Sequence, residues 1–158
     1  KYARRQWDLV DRQDLKYKYL NAFDNAMVEL VSRVINFQAL SIEKLWEKDD
    51  DQVLAFRRGD LVFVFNFNPF KSFTGYGILA PAGKYKVVLS SDDKQYGGFG
   101  NIDDSVEHLT QHDELYAPTG KEWLKLYLPA RSAQVLRIDR TPGKRASKTE
   151  NAKTPKKK

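Results

Sequence analysis

The sequence predicts a mainly β protein: an antiparallel β-sandwich, preceded by one amphipathic helix and followed by a disordered basic tail. Between residues 14 and 33 apolar side chains recur at three- and four-residue spacing, the period of a helix with one buried face. From Val53 to Ile138 short runs of β-branched and aromatic residues alternate with Gly, Pro, Asn and Asp, the punctuation of short strands. After Ile138 the only apolar side chains are Ala146 and Ala152, too few to order a segment. The 158 residues, 41% of them hydrophobic with 9 Phe, 8 Tyr and 3 Trp, suffice for the core of one domain and fall short of a complete (β/α)₈ barrel.

Taken in order, Tyr19, Leu20, Phe23, Met27, Leu30, Val31 and Val34 form the helical stripe, and Asp14 stands where an N-cap belongs. Residues 36–48 have mixed spacing and run into Asp49-Asp50-Asp51; they read as a connector with one short helix. The period then changes. Val53-Leu54-Ala55-Phe56 and Leu61-Val62-Phe63-Val64-Phe65-Asn66-Phe67 flank Arg57-Arg58-Gly59-Asp60, which predicts a hairpin whose unbroken second run is a central strand covered on both faces. Pro69 lacks an N–H and ends that pairing. Tyr76-Gly77-Ile78-Leu79 predicts another strand, and Pro81-Ala82-Gly83 turns the chain into Lys84-Tyr85-Lys86-Val87-Val88-Leu89. Two last strands, residues 123–128 and 133–138, are separated by Pro129-Ala130-Arg131-Ser132, a loop of hairpin length. Five or six such strands with turn signals between them argue for an antiparallel sandwich.

Charge is unevenly placed. Of 27 basic and 21 acidic residues, eight and two lie in residues 139–158, leaving 19 of each in residues 1–138 and the whole net charge of +6 in the tail. That tail carries no aromatic to stack on bases, so it reads as an appended, solubilising segment and no nucleic-acid partner is expected. No apolar run reaches the roughly 18 residues of a membrane span, so no membrane partner is expected either. Zero Cys removes disulfides, thiolate nucleophiles and cysteine metal sites, and fits a reducing compartment. The first residues, Lys1-Tyr2-Ala3-Arg4-Arg5-Gln6-Trp7, have neither an initiating Met nor an apolar signal core; the expectation is a chain that begins inside a longer one, with no secretory signal.

Residues 90–122 hold both histidines, eight carboxylates and Tyr96-Gly97-Gly98-Phe99-Gly100, and a loop this long carries function or hidden structure. His108 and His112 have metal-like spacing on a helix but lack a His-Glu-x-x-His pattern, so the solvated reading outweighs a metal site. Asp92-Asp93 and Asp103-Asp104 follow no calcium-loop spacing, and adjacent residues on an extended chain point to opposite faces; both pairs read as solvated turns. The glycine run is not a dinucleotide fingerprint, since no helix pattern follows it, and reads as a structural turn. Arg57-Arg58-Gly59-Asp60 contains Arg-Gly-Asp, which a hairpin turn explains without a receptor. Arg4, Arg5 and Trp7 join guanidinium forks to an indole, suited to sugar hydroxyls and ring faces but more often used in packing.

Tyr2-Ala3-Arg4-Arg5-Gln6-Trp7-Asp8-Leu9, Leu20-Asn21-Ala22-Phe23-Asp24-Asn25-Ala26-Met27 and the stretch from Val53 through Phe67-Asn68-Pro69 resemble, in one collinear order, the C-terminal portion of 1,4-α-glucan branching enzymes. Gly83 to Asp92, Tyr96-Gly97-Gly98-Phe99-Gly100 and Leu128-Pro129-Ala130-Arg131-Ser132-Ala133 extend the resemblance over residues 1–138, with a leaning to the subgroup that includes the eukaryotic enzymes. The resemblance implies the α-amylase superfamily: residues 1–50 would be the end of a catalytic (β/α)₈ barrel, its last helix and a connector, 51–138 the C-terminal β-sandwich and 139–158 the disordered tail. It also implies retaining cleavage of an α-1,4 linkage and transfer to an α-1,6 position by two carboxylates. Their motifs do not occur in this chain, so no catalytic residue is assigned and the chain alone is expected to be inactive. Arg4, Arg5 and Trp7 are implied to shape the acceptor side of the cleft. Tyr76, Tyr96, Phe99 and Tyr116 are further sugar platforms on this reading. The implied partners are an α-glucan and the rest of the barrel, with no cofactor or metal, in the cytoplasm or, for a plant source, the plastid. The alternative is a stand-alone carbohydrate- or protein-binding sandwich, for which the apolar stripe of residues 14–33 has no use.

Overall fold

A computed structural model describes residues 7–34 and 36–139, without the side chain of Trp7; the tail reading falls outside this range from residue 140. Among the described residues one α-helix, α1 (Tyr17–Ser32), precedes eight strands: β1 (Ile42–Lys48), β2 (Val53–Arg58), β3 (Leu61–Asn66), β4 (Phe73–Pro81), β5 (Lys84–Ser90), β6 (Glu107–Leu109), β7 (Lys121–Leu128) and β8 (Ser132–Asp139). They form a six-stranded sheet in the order β1-β2-β3-β8-β5-β6 and a two-stranded sheet of β4 and β7, with every pairing antiparallel. Among the described residues no helix is long and apolar enough to cross a membrane.

The two sheets pack face to face as the sandwich the strand pattern predicts. Val62 and Val64 of β3, Tyr85 and Val87 of β5 and Leu136 of β8 meet Ile78 of β4 and Leu124, Leu126 and Leu128 of β7 in one buried core. On the outer face of the large sheet, Leu61, Phe63, Leu89 and Val135 form a second core under Phe23, Ala26 and Leu30 of α1. The central strand β3 is therefore apolar without interruption because it is covered twice, by the small sheet and by the helix. β2 and β3 form the expected hairpin, with Arg58 opposite Leu61 and Gly59 at φ +63°, a value that a two-residue hairpin loop requires of its first position.

Three local expectations are corrected. Asp14 does not cap α1: the helix begins at Tyr17 with Lys16 at the cap and no side-chain cap bond. Arg12 donates two hydrogen bonds to the Asp14 carboxylate, at 2.7 and 3.1 Å, and this bidentate hold takes the acceptor away from the helix N–H groups. The connector of residues 36–48 has its one short helix as a 3₁₀ turn (Phe37–Ala39), but beyond it runs a strand that the sequence reading lacked. β1 is an edge strand with only Leu45 buried, so its pattern shows little apolar period. The third correction concerns β7 and β8. Their three-residue connection is not a hairpin, since β7 pairs with β4 in the small sheet while β8 inserts between β3 and β5. The buried Asn66 holds this crossing: its Nδ2 donates to the carbonyls of Lys71, Leu128 and Pro129 at 2.9, 3.1 and 2.9 Å. Gln134 Nε2 donates to the Tyr127 carbonyl and Ser132 Oγ to that of Pro129, so the corner's inward polar groups are paired.

Candidate functional site

Three loops meet at one end of the sandwich: residues 68–72 after β3, residues 91–102 after β5 and residues 129–131 between β7 and β8. Backbone and hydroxyl bonds tie them together. Ala133 donates its N–H to Ser91 Oγ, Ala130 to Ser72 Oγ and Arg131 to the Asn68 carbonyl, at 2.9, 3.0 and 3.0 Å. Between them lies an open cleft of about 460 Å³ whose walls include Ser72, Ser91, Phe99, Asn101 and Arg131.

The wall of residues 91–102 is built around Asp92. This carboxylate, 5% exposed, accepts the N–H of Phe99 at 3.3 Å, of Asn101 at 2.5 Å and of Ile102 at 3.1 Å, together with the Asn101 amide. Asp92 is thus no solvated turn residue, which corrects the sequence expectation for the first acidic pair. Asp93 does behave as a turn acceptor, capping the 3₁₀ turn Lys94–Tyr96 through the Gln95 N–H. The loop folds back so closely that a Cβ on Gly98 would stand 2.2 Å from the Asp92 carbonyl carbon and oxygen. Only glycine fits, as the structural reading of the glycine run expects. The product of this packing is an outward-facing Phe99, 84% exposed.

The two neighbouring loops, which line the cleft with Ser72 and Arg131, are held as tightly. Asn68 Oδ1 accepts the N–H of Phe70 and of Lys71, at 3.1 and 2.9 Å, in a side-chain turn that leaves Phe70 89% exposed. Arg131 has φ +54°, a left-handed conformation that costs a residue with a Cβ roughly 1 kcal/mol. Phe70 and Arg131 were not singled out from the sequence. An aromatic directly after a strand-ending Asn-Pro was the signal available for Phe70.

Of the other aromatic platforms, Tyr96 meets Phe23 edge-on at 5.3 Å and Tyr116 meets Trp123 edge-on at 5.3 Å. Tyr76 accepts from Trp46 Nε1 and donates to Asp51 Oδ2, and burial raises its hydroxyl pKa. These three rings serve packing, and of the four expected platforms Phe99 is the freely exposed one. Arg4 and Arg5 lie outside the described residues, and of Trp7 only the backbone is described, opening a 3₁₀ turn (Trp7–Val10). His108 sits on β6, opposite Tyr85, where burial lowers its pKa against a weaker opposing bond to the Lys125 backbone. His112 Nδ1 lies 3.3 Å from Glu122 Oε1. No three His, Asp or Glu among the described residues stand together as a metal-holding group.

A family model described as alpha amylase, C-terminal all-beta domain, matches residues 46–139, from within β1 to the end of β8. The chain belongs to this alpha-amylase C-terminal all-beta domain family. Relatives of the domain reach well outside that range. The chain is 39% identical over 136 residues to the 1,4-alpha-glucan-branching enzyme of Rhizophagus irregularis, covering 85% of this chain and 20% of that protein. It is 38% identical over 141 residues to that of Emericella nidulans, covering 89% and 20%. The chloroplastic/amyloplastic enzyme of Oryza sativa subsp. japonica is 48% identical over 112 residues, covering 68% of this chain and 13% of the enzyme. The chain thus spans about a fifth or less of the curated relatives it matches.

Proposed function

We propose that this all-beta domain and its preceding helix are the C-terminal part of a 1,4-α-glucan branching enzyme. The parent enzyme would cleave an α-1,4-glucan and transfer the released chain to an α-1,6 position with retention, using two carboxylates that lie outside this chain. The observation that carries the reading is α1. Phe23, Ala26 and Leu30 already bury one apolar arc against the sheet, yet Tyr17, Leu20, Met27 and Val28 form a second arc beside it, 48, 65, 38 and 56% exposed. A helix apolar on two arcs belongs between two bodies, and a catalytic barrel whose last helix is α1 supplies the second. Similarity to enzymes named for branching extends through this helix as well as the sandwich, which supports the same assignment.

In this reading the residues before β1 close the barrel, the sandwich of β1 to β8, which begins at Ile42 and so ahead of the boundary at residue 51 that the sequence suggests, braces it, and Arg4, Arg5 and Trp7 border the acceptor side of its cleft. The substrate is glycogen, amylose or amylopectin, and the protein resides in the cytoplasm, or the plastid in a plant. Peptide-mass mapping of the endogenous protein tests this. The expected result is a polypeptide several times longer that lowers the iodine absorbance of amylose and forms α-1,6 linkages, while the 158-residue chain alone does neither. A mature protein beginning at Lys1 would overturn the reading in favour of a stand-alone binding module. Branching by the isolated chain would overturn the location of the carboxylates.

A further inference from the structure

We infer that Thr141 is a phosphorylation site and that its phosphate seats in a second, arginine-lined cleft at the hairpin end of the large sheet, between Arg137 of β8 and Arg33 at the end of α1. The inference rests on that cleft and on the sequence that leaves β8, and it stands whether or not the parent protein is a branching enzyme.

This open cleft, of about 710 Å³, lies where the end of α1, the connector and the β2–β3 hairpin meet β8, and its walls include Arg33, Ser41, Glu43, Arg57, Asp60 and Arg137. Three guanidiniums therefore line it against two carboxylates. Glu43 is already shared between Arg57 at 3.5 Å and Lys121 at 3.0 Å. Arg33 pairs with Glu29, but the two side chains are 69 and 63% exposed, and an ion pair that open to water yields readily to a stronger anion. Arg137 is exposed on β8, opposite Leu61, and among the described residues no ion pair or side-chain hydrogen bond holds it. The Asp60 carbonyl accepts the Ile138 N–H at 3.0 Å, which fixes the last residues of β8 at the rim of the cleft.

The chain's two Thr-Pro steps both follow Asp139, and both read Thr-Pro-x-Lys: Thr141-Pro142-Gly143-Lys144 and Thr154-Pro155-Lys156-Lys157. Proline has no N–H and biases the residue before it to extended backbone; a threonine so placed, with a lysine two residues after the proline, is the pattern a proline-directed kinase accepts. Such a kinase transfers the γ-phosphoryl group of a nucleoside triphosphate to Thr141 Oγ1. The Oγ1–P bond forms as the bond from that phosphorus to the bridging oxygen breaks, the nucleoside diphosphate leaves, and the hydroxyl proton passes to the kinase's catalytic carboxylate. Unmodified, residues 140–145 bring Arg140, Lys144 and Arg145 and no carboxylate to a rim that carries Arg137, and like charges oppose docking. A phosphate adds about −1.5 to −2 charges at pH 7 and three strong acceptor oxygens, which reverses the sign, and guanidinium forks bind it through charge-assisted bonds. Thr141 stands two residues past Asp139, at most about 7 Å of extended chain; Thr154 is thirteen residues further on, too far along the chain to be placed by β8. One phosphate between Arg33, the C-cap of α1, and Arg137 ties the helix end to the sheet. If α1 is the last helix of a barrel, the modification stiffens the joint between barrel and sandwich.

Incubation of the 158-residue chain with a proline-directed kinase and ATP, followed by peptide-mass mapping, tests the first step; Thr141 is expected to be modified in the folded chain. Phosphorus NMR and thermal unfolding of the chain phosphorylated at Thr141 test the second. The second ionisation of the phosphate should move below its usual value of about 6, and the thermal midpoint should rise by about 3 °C. R137A and R33A, both at exposed positions that leave the cores intact, should each remove most of both changes. The T141V chain phosphorylated at Thr154 is the control for added charge alone and should show neither. A kinase that modifies Thr154 and leaves Thr141 untouched would overturn the proposal. So would a phosphate at Thr141 that ionises near 6 with no rise in midpoint, an equal rise from Thr154, or a rise that survives both R137A and R33A. A longer polypeptide that does not branch would remove the enzyme reading alone, since each of these measurements is made on the 158-residue chain.

Discussion

Replacing Asp92 by Ala tests whether one buried carboxylate organises the whole 91–102 loop. The change removes the acceptor for three backbone N–H groups, of Phe99, Asn101 and Ile102, and for the Asn101 amide. A hydrogen bond to a charged group contributes roughly 1.5–3 kcal/mol, but an opened surface loop regains water for its amides, so about 1 kcal/mol per backbone donor is the fitting figure. The expected loss is about 3 kcal/mol, a large share of the roughly 5–15 kcal/mol of a typical domain. Asp92→Asn keeps one acceptor oxygen and turns an NH₂ toward the others, so it should cost about half as much. Urea unfolding followed by tryptophan fluorescence measures the global change. Hydrogen exchange at Phe99, Asn101 and Ile102 measures the local one, and the three amides should lose protection together. Gly98→Ala should be at least as costly, because its Cβ meets the Asp92 carbonyl, which cannot retreat while it accepts the Gly100 N–H at 2.6 Å. A D92A chain within about 1 kcal/mol of the parent, with its Phe99 amide still protected, would refute the reasoning.

Asn66→Ala should lower stability by about 2–4 kcal/mol in the same assay by orphaning the buried carbonyls of Leu128 and Pro129, and Asn66→Asp should be worse because it sets an acceptor against acceptors. Arg131→Gly should raise stability by about 0.5–1 kcal/mol, the relief of a left-handed Cβ less the entropy that glycine adds to the unfolded chain; calorimetry checks the sign. Burial lowers the pKa of His108 below the usual 6.5. Below about that pH the unfolded chain takes up a proton that the folded chain resists, so stability should fall from pH 7 toward pH 5. The slope should flatten in His108→Gln, measured by the thermal midpoint across that range.

Strands of the inner core were readable because their environment is one-dimensional. β3 is apolar at five successive positions since both its faces are covered, and Gly59 announces its hairpin. β1 was not readable, because an edge strand that buries only Leu45 leaves its remaining side chains to solvent and shows no period. The short loop before β8 indicated proximity of its two strands but not pairing; whether they bond depends on which sheet each joins, and that is decided by β4 and β5, some fifty residues away. At the cleft, Phe99 stood out by its glycine neighbours. Asp92 did not, since its burial follows from a fold-back that only the three-dimensional loop reveals, and Arg131 did not because a positive φ on an arginine leaves no mark in the sequence.

The placement of β8 sets the order in which this domain can be completed. Leu61–Asn66 and Lys84–Ser90 do not bond to each other; each bonds to β8, which lies between them. A nascent chain that has emerged only as far as β7 therefore holds two separate pieces of the large sheet, β1-β2-β3 and β5-β6, each ending in an unpaired edge. Open edges of this kind are where chains pair wrongly with one another. Synthesis of residues 132–139 closes both edges in one step, so a premature stop anywhere before Ser132 should yield an aggregating product and not a shorter, weaker domain.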